Sequence, residues 1–179
     1  MTHYDSTGKW IIDWDDAGRM VNELLSKVKD FLKFKNVKID RLIAIERGSL
    51  PLIPSFSSGL NPDPTDKKGK YDINEISYYK PASKTGYGIK EAGTLWPLPT
   101  AGEKVLVVDE VSDKGNALSE LSDILKSLNV EAYYATLHIK PRTQFVPDVY
   151  LKSVDNETWI DYPWEMPKQA MEEKEKVGI

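Results

Sequence analysis

The sequence contains no cysteine. Disulfide cross-links, thiolate nucleophiles and cysteine-held zinc are therefore excluded. Histidine is nearly absent too: only His3 and His138 occur, too few for a multi-histidine metal centre. Any bound metal must then be held by oxygen, which points to Mg²⁺ or a similarly hard ion. No apolar run approaches the roughly 20 residues that cross a bilayer. The first nine residues are polar and lack a signal peptide's apolar stretch. No membrane partner is expected, and the expected location is cytoplasmic. A net charge of -4 supplies no general basic field, so no nucleic-acid partner is expected either.

What is present is an ordinary globular balance, 40% hydrophobic and 29% charged over 179 residues, which suits one domain around one core. Asp13 can cap a helix in which Ala17, Met20, Leu24, Val28 and Phe31 recur at helical spacing. Leu42, Ile43, Ala44 and Ile45 form an apolar run suited to a strand covered on both faces. Residues 50–60 can start a second helix, with Pro51 in its first turn and Pro54 making it irregular. A Pro/Asp/Lys/Gly connector follows at 61–70, then a strand at 73–80. Residues 81–100 have no periodicity, as in functional lids or disordered loops. The strongest buried strand is 105–109. A helix over 115–128 places Leu118, Leu121, Leu125 and Leu128 on one face. Strands at 133–139 and 149–154 and a polar tail at 171–179 complete the chain. This alternation predicts an α/β domain with a parallel sheet flanked by helices. Ligands of such sheets bind beyond the carboxyl ends of the strands. The segment Glu46-Arg47-Gly48-Ser49 and the segment 109–117 both fall at such ends.

The second of these segments carries the most chemistry. Four apolar residues deliver Asp109 and Glu110, and a short loop through Val111, Ser112 and Asp113 enters a helix at Lys114, Gly115, Asn116 and Ala117. Paired acids at a sheet rim can accept hydrogen bonds from a sugar diol or hold a hard cation. A helix N-terminus is a natural seat for phosphate. A diol, a cation and a phosphate together describe ribose 5-phosphate. The plainer alternative is that Asp113 caps the helix while the two acids are solvated.

Residues 105–117 resemble the phosphoribosyl-pyrophosphate motif of the type I phosphoribosyltransferases: four apolar residues, two acids, two variable positions, a third acid, then Thr-Gly-x-Thr. Lys114 and Ala117 depart from it, standing where the family has threonines that help hold the 5-phosphate. Trp14-Asp15-Asp16, and Arg47-Gly48-Ser49 in place of Arg-Gly-Gly, resemble the family's opening. There the loop backbone contacts pyrophosphate, often through a non-proline cis peptide. Ser77-Tyr78 resembles the start of its mobile lid, in which Lys80, Lys84, Lys90, Gly86 and Gly88 receive no individual role. Ile139-Lys140-Pro141, Pro147-Asp148-Val149-Tyr150 and Trp159-Ile160-Asp161-Tyr162-Pro163-Trp164-Glu165 resemble the purine end of the xanthine–guanine members.

The resemblance implies a type I fold with a small hood and a mobile lid. It implies one domain over 1–170, with the lid at about 77–100 and the base-binding hood at about 140–165. It implies a homodimer or homotetramer using Mg²⁺, phosphoribosyl pyrophosphate and a 6-oxopurine. Asp109 and Glu110 would hold ribose hydroxyls and Mg²⁺. Arg47, Gly48 and Ser49 would seat pyrophosphate, and Ser112, Asp113, Lys114, Gly115, Asn116 and Ala117 would take the sugar phosphate. Asp113 would meet the purine N7 and move a proton. Lys140 would donate to O6, Trp159 would stack on the ring, and the Ile160 backbone would read the 2-position. The alternatives residue by residue are a surface turn for Arg47, snorkelling for Lys140 and core packing for Trp159 and Trp164. At the level of function, the rival is a non-catalytic member of the same fold that binds these ligands as a regulator.

Overall fold

A computed structural model describes residues 3–4, 6, 8–60, 75–80 and 94–165. The expected connector at 61–70, the lid residues Lys84, Gly86, Gly88 and Lys90, and the tail at 171–179 lie outside the described residues. The elements in chain order are β1 (His3–Tyr4), β2 (Trp10–Ile11), α1 (Trp14–Lys35), β3 (Arg41–Ile45), α2 (Ile53–Gly59), β4 (Glu75–Lys80), β5 (Thr94–Trp96), β6 (Lys104–Ser112), α3 (Asn116–Ser127), β7 (Glu131–Ile139), β8 (Val149–Ser153) and β9 (Ile160–Asp161). A 3-10 turn at Leu50–Leu52 leads into α2.

Local chemistry sets the helix ends. The Asp13 carboxylate accepts from the Asp16 N–H at 2.7 Å and starts α1. Asn36 closes the helix at φ 54°, a left-handed conformation that asparagine tolerates. Six strands form a sheet in the order β5-β4-β3-β6-β7-β8. Its neighbours run parallel except for β5, which pairs antiparallel with β4 at the edge. Alternate strand residues then face opposite layers. Leu42, Ala44, Leu106, Val108, Ala135 and Leu137 pack with the buried faces of α1 and α2, whereas Ile43, Ile45, Val105, Val107 and Tyr134 pack with Leu118, Leu121 and Leu125 of α3. With both faces covered, the strands show no polar alternation.

The site follows from where the ladders stop. The β3–β6 ladder ends at the Ala44–Val108 pair. The β6–β7 ladder continues through Asp109–Thr136 to Ser112–Ile139. Asp109 and Glu110 therefore lie inside β6 rather than beyond its end, but they have lost their neighbour on the β3 side. After β3 the chain passes to β4 on one side, and after β6 to β7 on the other. The gap between the ends of β3 and β6 is thus the switch point of the sheet.

Strands occupy both described ends of the stretch expected to form a lid. Ser77 and Tyr78 sit within β4, opposite Ile43 and Ala44, and 94–96 form β5. Ser77 is fully buried; its hydroxyl donates to the Pro97 carbonyl at 2.9 Å and accepts from Arg41 at 2.7 Å. Arg41, itself buried, forks onto Glu103 at 2.7 and 3.1 Å and holds that carboxyl down at about 2. The polar Ser77 is a structural tie, and the connection left between the two strands is 81–93.

A second, small sheet forms the hood. β2 pairs antiparallel with β1 and parallel with β9, with Trp10 opposite Ile160 and Ile11 opposite Asp161. The Trp10 N–H donates to the Trp159 carbonyl at 2.8 Å and the Ile12 N–H to the Asp161 carbonyl at 3.0 Å. The start of the chain thereby fixes the backbone of the expected base-reading segment.

Candidate active site

At the switch point the loop after β3 meets the acids of β6. The Glu46–Arg47 peptide is cis and not followed by proline, as the resemblance implied. A Cβ on Gly48 would fall 1.8 Å from Glu110 Oε1, so a larger residue there would push that carboxylate out of its present position. Glu110 Oε2 is buried with no hydrogen-bond partner among the described residues. Asp109 is buried beside it, and one of its oxygens accepts from the Glu110 N–H at 2.9 Å. Burial and then the Glu110 charge push the Asp109 carboxyl well up. Two carboxyl groups crowded together with an unpartnered oxygen form a donor set that fits a hard cation. Among the described residues no three or more acids or histidines gather around one point, so such a cation would draw its remaining ligands from substrate and water.

The loop beyond β6 makes a cradle. Gly115 occupies the N-cap of α3 at φ 79°, with no side chain capping the helix. A Cβ there would lie 2.6 Å from the Phe145 nitrogen and 2.8 Å from Thr143 Oγ1. Glycine is therefore required twice over, for its left-handed backbone and for close approach. First-turn N–H groups of a helix have no intrahelical acceptor, and here they face a cavity of about 240 Å³ lined by Asp109, Asp113, Lys114, Asn116 and Ala117 among others. Asp113 does not cap the helix. Its carboxylate accepts from Arg142, Nε to Oδ1 at 2.6 Å and Nη2 to Oδ2 at 2.9 Å. Two serines expected on substrate turn inward instead. Ser49 is buried and donates to the Ile45 carbonyl at 2.5 Å. Ser112 donates to the Phe145 carbonyl at 2.8 Å and lies 2.7 Å from Thr143 Oγ1. Their hydroxyls hold the loops, and only their backbones remain for a ligand.

A second cavity, of about 160 Å³, adjoins the first and shares Val111 and Asp113 with it. Lys140, Trp159 and Ile160 line it as expected, together with Arg142, Asn156, Tyr162 and Glu165. Trp159 is half exposed, and its indole N–H donates to Asp161 at 2.6 Å, which fixes the ring. Trp164 instead stacks on Tyr162 at 5.2 Å and 14°, so core packing accounts for it. Lys140 is buried rather than snorkelling. Its ammonium donates to the Asp155 carbonyl at 2.7 Å and to that of Thr158. Burial lowers its pKa, Asp113 counteracting in part. Two of its three donors are committed to the hood loop, leaving one for a ligand.

Sequence reasoning missed the polar chain beneath this cavity. Tyr162 Oη lies 3.0 Å from the Glu110 carbonyl and 2.7 Å from His138 Nδ1. A carbonyl only accepts, so Tyr162 donates to Glu110 and His138 Nδ1–H donates to Tyr162. His138 Nε2 is then a bare acceptor, buried without a partner, and burial followed by Lys152 and Lys140 depresses the imidazole to about 3. The wall of the second cavity is thereby bonded to the strand carrying both acids. Arg142 was missed too, although it stands two residues beyond Lys140, directly after the Ile139-Lys140-Pro141 motif. The signal available was a cation immediately after a strand-end Lys-Pro.

Fold and site define the class: a mainly parallel-sheet domain whose switch point joins an acid-lined cavity at a helix start to an aromatic-walled cavity. The model of the phosphoribosyl transferase domain matches residues 11–170, and the chain belongs to that family. A xanthine-guanine phosphoribosyltransferase of Cereibacter sphaeroides is 34% identical over 71 residues, 40% of each chain. Another of that name, from Desulfotalea psychrophila, is 28% identical over 158 residues, covering 88% of this chain and 87% of the relative. The first of these alignments thus spans only about two fifths of the relative's length. The crystal structure of a purine phosphoribosyltransferase from Pyrococcus horikoshii superposes with a TM-score of 0.67 at 28% identity, over 89% of this chain and 96% of the other.

Proposed function

We propose that this protein transfers the phosphoribosyl group of phosphoribosyl pyrophosphate to a 6-oxopurine (guanine, xanthine or hypoxanthine), releasing pyrophosphate and the nucleoside monophosphate. The observation that carries this reading is the pair of cavities meeting at Val111 and Asp113. One offers helix N–H groups and acids, the other an exposed indole and cationic donors. A nucleotide has those two ends, with a ribose between them. Family membership and the relatives' names support the same reading.

In the reaction the bond from the sugar C1 to a pyrophosphate oxygen breaks as a purine ring nitrogen bonds to C1. Positive charge grows on the ribose and negative charge on the leaving group. Asp109 and Glu110 would accept from the ribose hydroxyls and would hold Mg²⁺. When bound, that ion supplies charge neutralisation at the pyrophosphate. Arg47 and the backbone at Gly48 and Ser49 seat the pyrophosphate. The N–H groups at Gly115, Asn116 and Ala117, with Lys114, hold the 5-phosphate, where Lys114 and Ala117 replace the family's threonines. Asp113 meets the imidazole edge of the base and takes its proton. Trp159 stacks, the Ile160 backbone meets the 2-position, and the remaining Lys140 donor reaches a C6 carbonyl, which adenine lacks. The proposed setting is cytoplasmic purine salvage by a homodimer or homotetramer. Among the described residues no helix is long and apolar enough to cross a membrane.

A spectrophotometric assay with Mg²⁺, phosphoribosyl pyrophosphate and each base tests this. Nucleotide formation with 6-oxopurines but not adenine is the expected result. The second reading, a non-catalytic binder, draws on Lys114 and Ala117 in the cradle. It predicts no turnover with any base while phosphoribosyl pyrophosphate still raises the melting temperature.

A further inference from the structure

Arg142 belongs to neither the strand-end motif nor the stacking segment, yet it joins them. Its guanidinium forks onto both oxygens of Asp113, and both residues line the second cavity. Its own position is over-determined. The Arg142 N–H donates to Asn156 Oδ1 at 3.0 Å, tying it to the hood loop. The Gln144 N–H donates to the Lys114 carbonyl at 3.1 Å, tying the same turn to the cradle. Lys140, the expected reader of the base, spends two donors on the Asp155 and Thr158 carbonyls. Both members of the Arg142–Asp113 pair are over a third exposed, so the contact adds little to folding. What the fork supplies is geometry: it fixes the plane of a carboxylate that otherwise rotates.

We propose that Arg142 is the positioning residue of the base site, holding the Asp113 carboxylate as a fixed acceptor toward the imidazole edge of the purine. A bidentate fork uses two of the roughly four lone-pair sites of a carboxylate. Asp113 therefore accepts an N–H from the base without releasing Arg142. Because the pair is acceptor-only on that side, the site selects the base tautomer that carries hydrogen on the ring nitrogen facing Asp113. The other ring nitrogen then keeps its lone pair for attack on C1. This inference rests on the proposed function and adds a residue to it.

A double-mutant cycle tests it, with Arg142→Ala, Arg142→Lys, Asp113→Asn and the Ala/Asn double variant. KM and kcat are measured separately for guanine and phosphoribosyl pyrophosphate, and guanosine monophosphate affinity is measured by isothermal titration calorimetry. Arg142→Ala is expected to lower kcat/KM for guanine roughly 10- to 100-fold, the scale of a misplaced catalytic group. The KM for phosphoribosyl pyrophosphate and the melting temperature stay unchanged. Arg142→Lys recovers little, because an ammonium cannot fork. In the Asp113→Asn background, Arg142→Ala has no further effect. Losses that multiply, a guanine kcat/KM equal to the parent's, or an equal rise in the KM for phosphoribosyl pyrophosphate would each overturn the role. The parent protein separately tests the functional reading. If it binds guanosine monophosphate without turnover, that reading fails as catalysis, and the same cycle on affinity still decides Arg142: coupled losses support it and independent losses overturn it. A parent that neither turns over nor binds removes the base site and the role of Arg142 with it.

Discussion

The two halves of the site treat their polar groups in opposite ways. On the cradle side, Glu110 keeps a buried oxygen without a partner, and no side chain caps α3. On the base side most of the groups facing the cavity are already engaged: Lys140 with two carbonyls, Arg142 with Asp113, Trp159 with Asp161 and Tyr162 with Glu110 and His138; behind them His138 Nε2 has no partner among the described residues. Under the proposed function, an open set of donors and acids is completed by a charged ligand, so the cradle would bind by electrostatics. A knitted set holds a shape in advance, so the base side would recognise by fit and by the few donors left over.

Three experiments press on this contrast. The largest effect is expected where the halves touch. Asp113→Asn keeps the shape but loses the proton acceptor, so turnover should drop by roughly 10²–10⁴-fold, the usual contribution of a general base, while phosphoribosyl pyrophosphate still raises the melting temperature. Parental turnover would remove Asp113 from the mechanism. Lys140→Ala should act on the knitted half alone: guanine and hypoxanthine use weaken far more than phosphoribosyl-pyrophosphate binding. The two carbonyls it leaves unpaired should also cost about 2 kcal/mol of stability. Equal loss of both substrates would show the halves to be one unit.

The smallest effect is thermal. His138 is held neutral, with its folded pKa depressed to about 3 from an ordinary value near 6.5. An unfolded chain takes up a proton below about 6.5 that the folded chain refuses. The stability contributed by the neutral imidazole is therefore full above that pH and lost progressively toward about 3. Melting temperature should begin to fall just below pH 6.5, and His138→Asn should flatten that first portion whatever its absolute stability. A slope unchanged by the substitution would place the titration elsewhere.

The cradle half was largely legible from sequence and the base half only in outline, for a physical reason. The cradle is built from consecutive residues: an apolar run, acids, a glycine with a left-handed backbone and a helix start lie within 105–117. What it did not disclose is where the hydroxyls of Ser49 and Ser112 go, because a serine in a tight loop bonds as readily to a nearby carbonyl as to a ligand. The hood depends on pairs far apart in the chain, such as Trp10 with Ile160 and Glu110 with Tyr162. Strands of two residues carry no periodicity to read. The structural role of Ser77 was hidden for the same reason, because it is held by Arg41 and Pro97, not by its sequence neighbours.

The pairing of β2 with β9 has a consequence in time. During synthesis the residues of β3, β6 and α3 emerge well before Ile160, and contacts of short sequence separation form first. A nascent chain paused after β7 would already hold the acids and glycine of the cradle. The wall of the second cavity must wait until residue 160 returns to residue 10. Under the proposed function, base recognition is thus the last property this chain acquires, and a ribosome-bound series of lengths should gain phosphate-ligand protection before base protection.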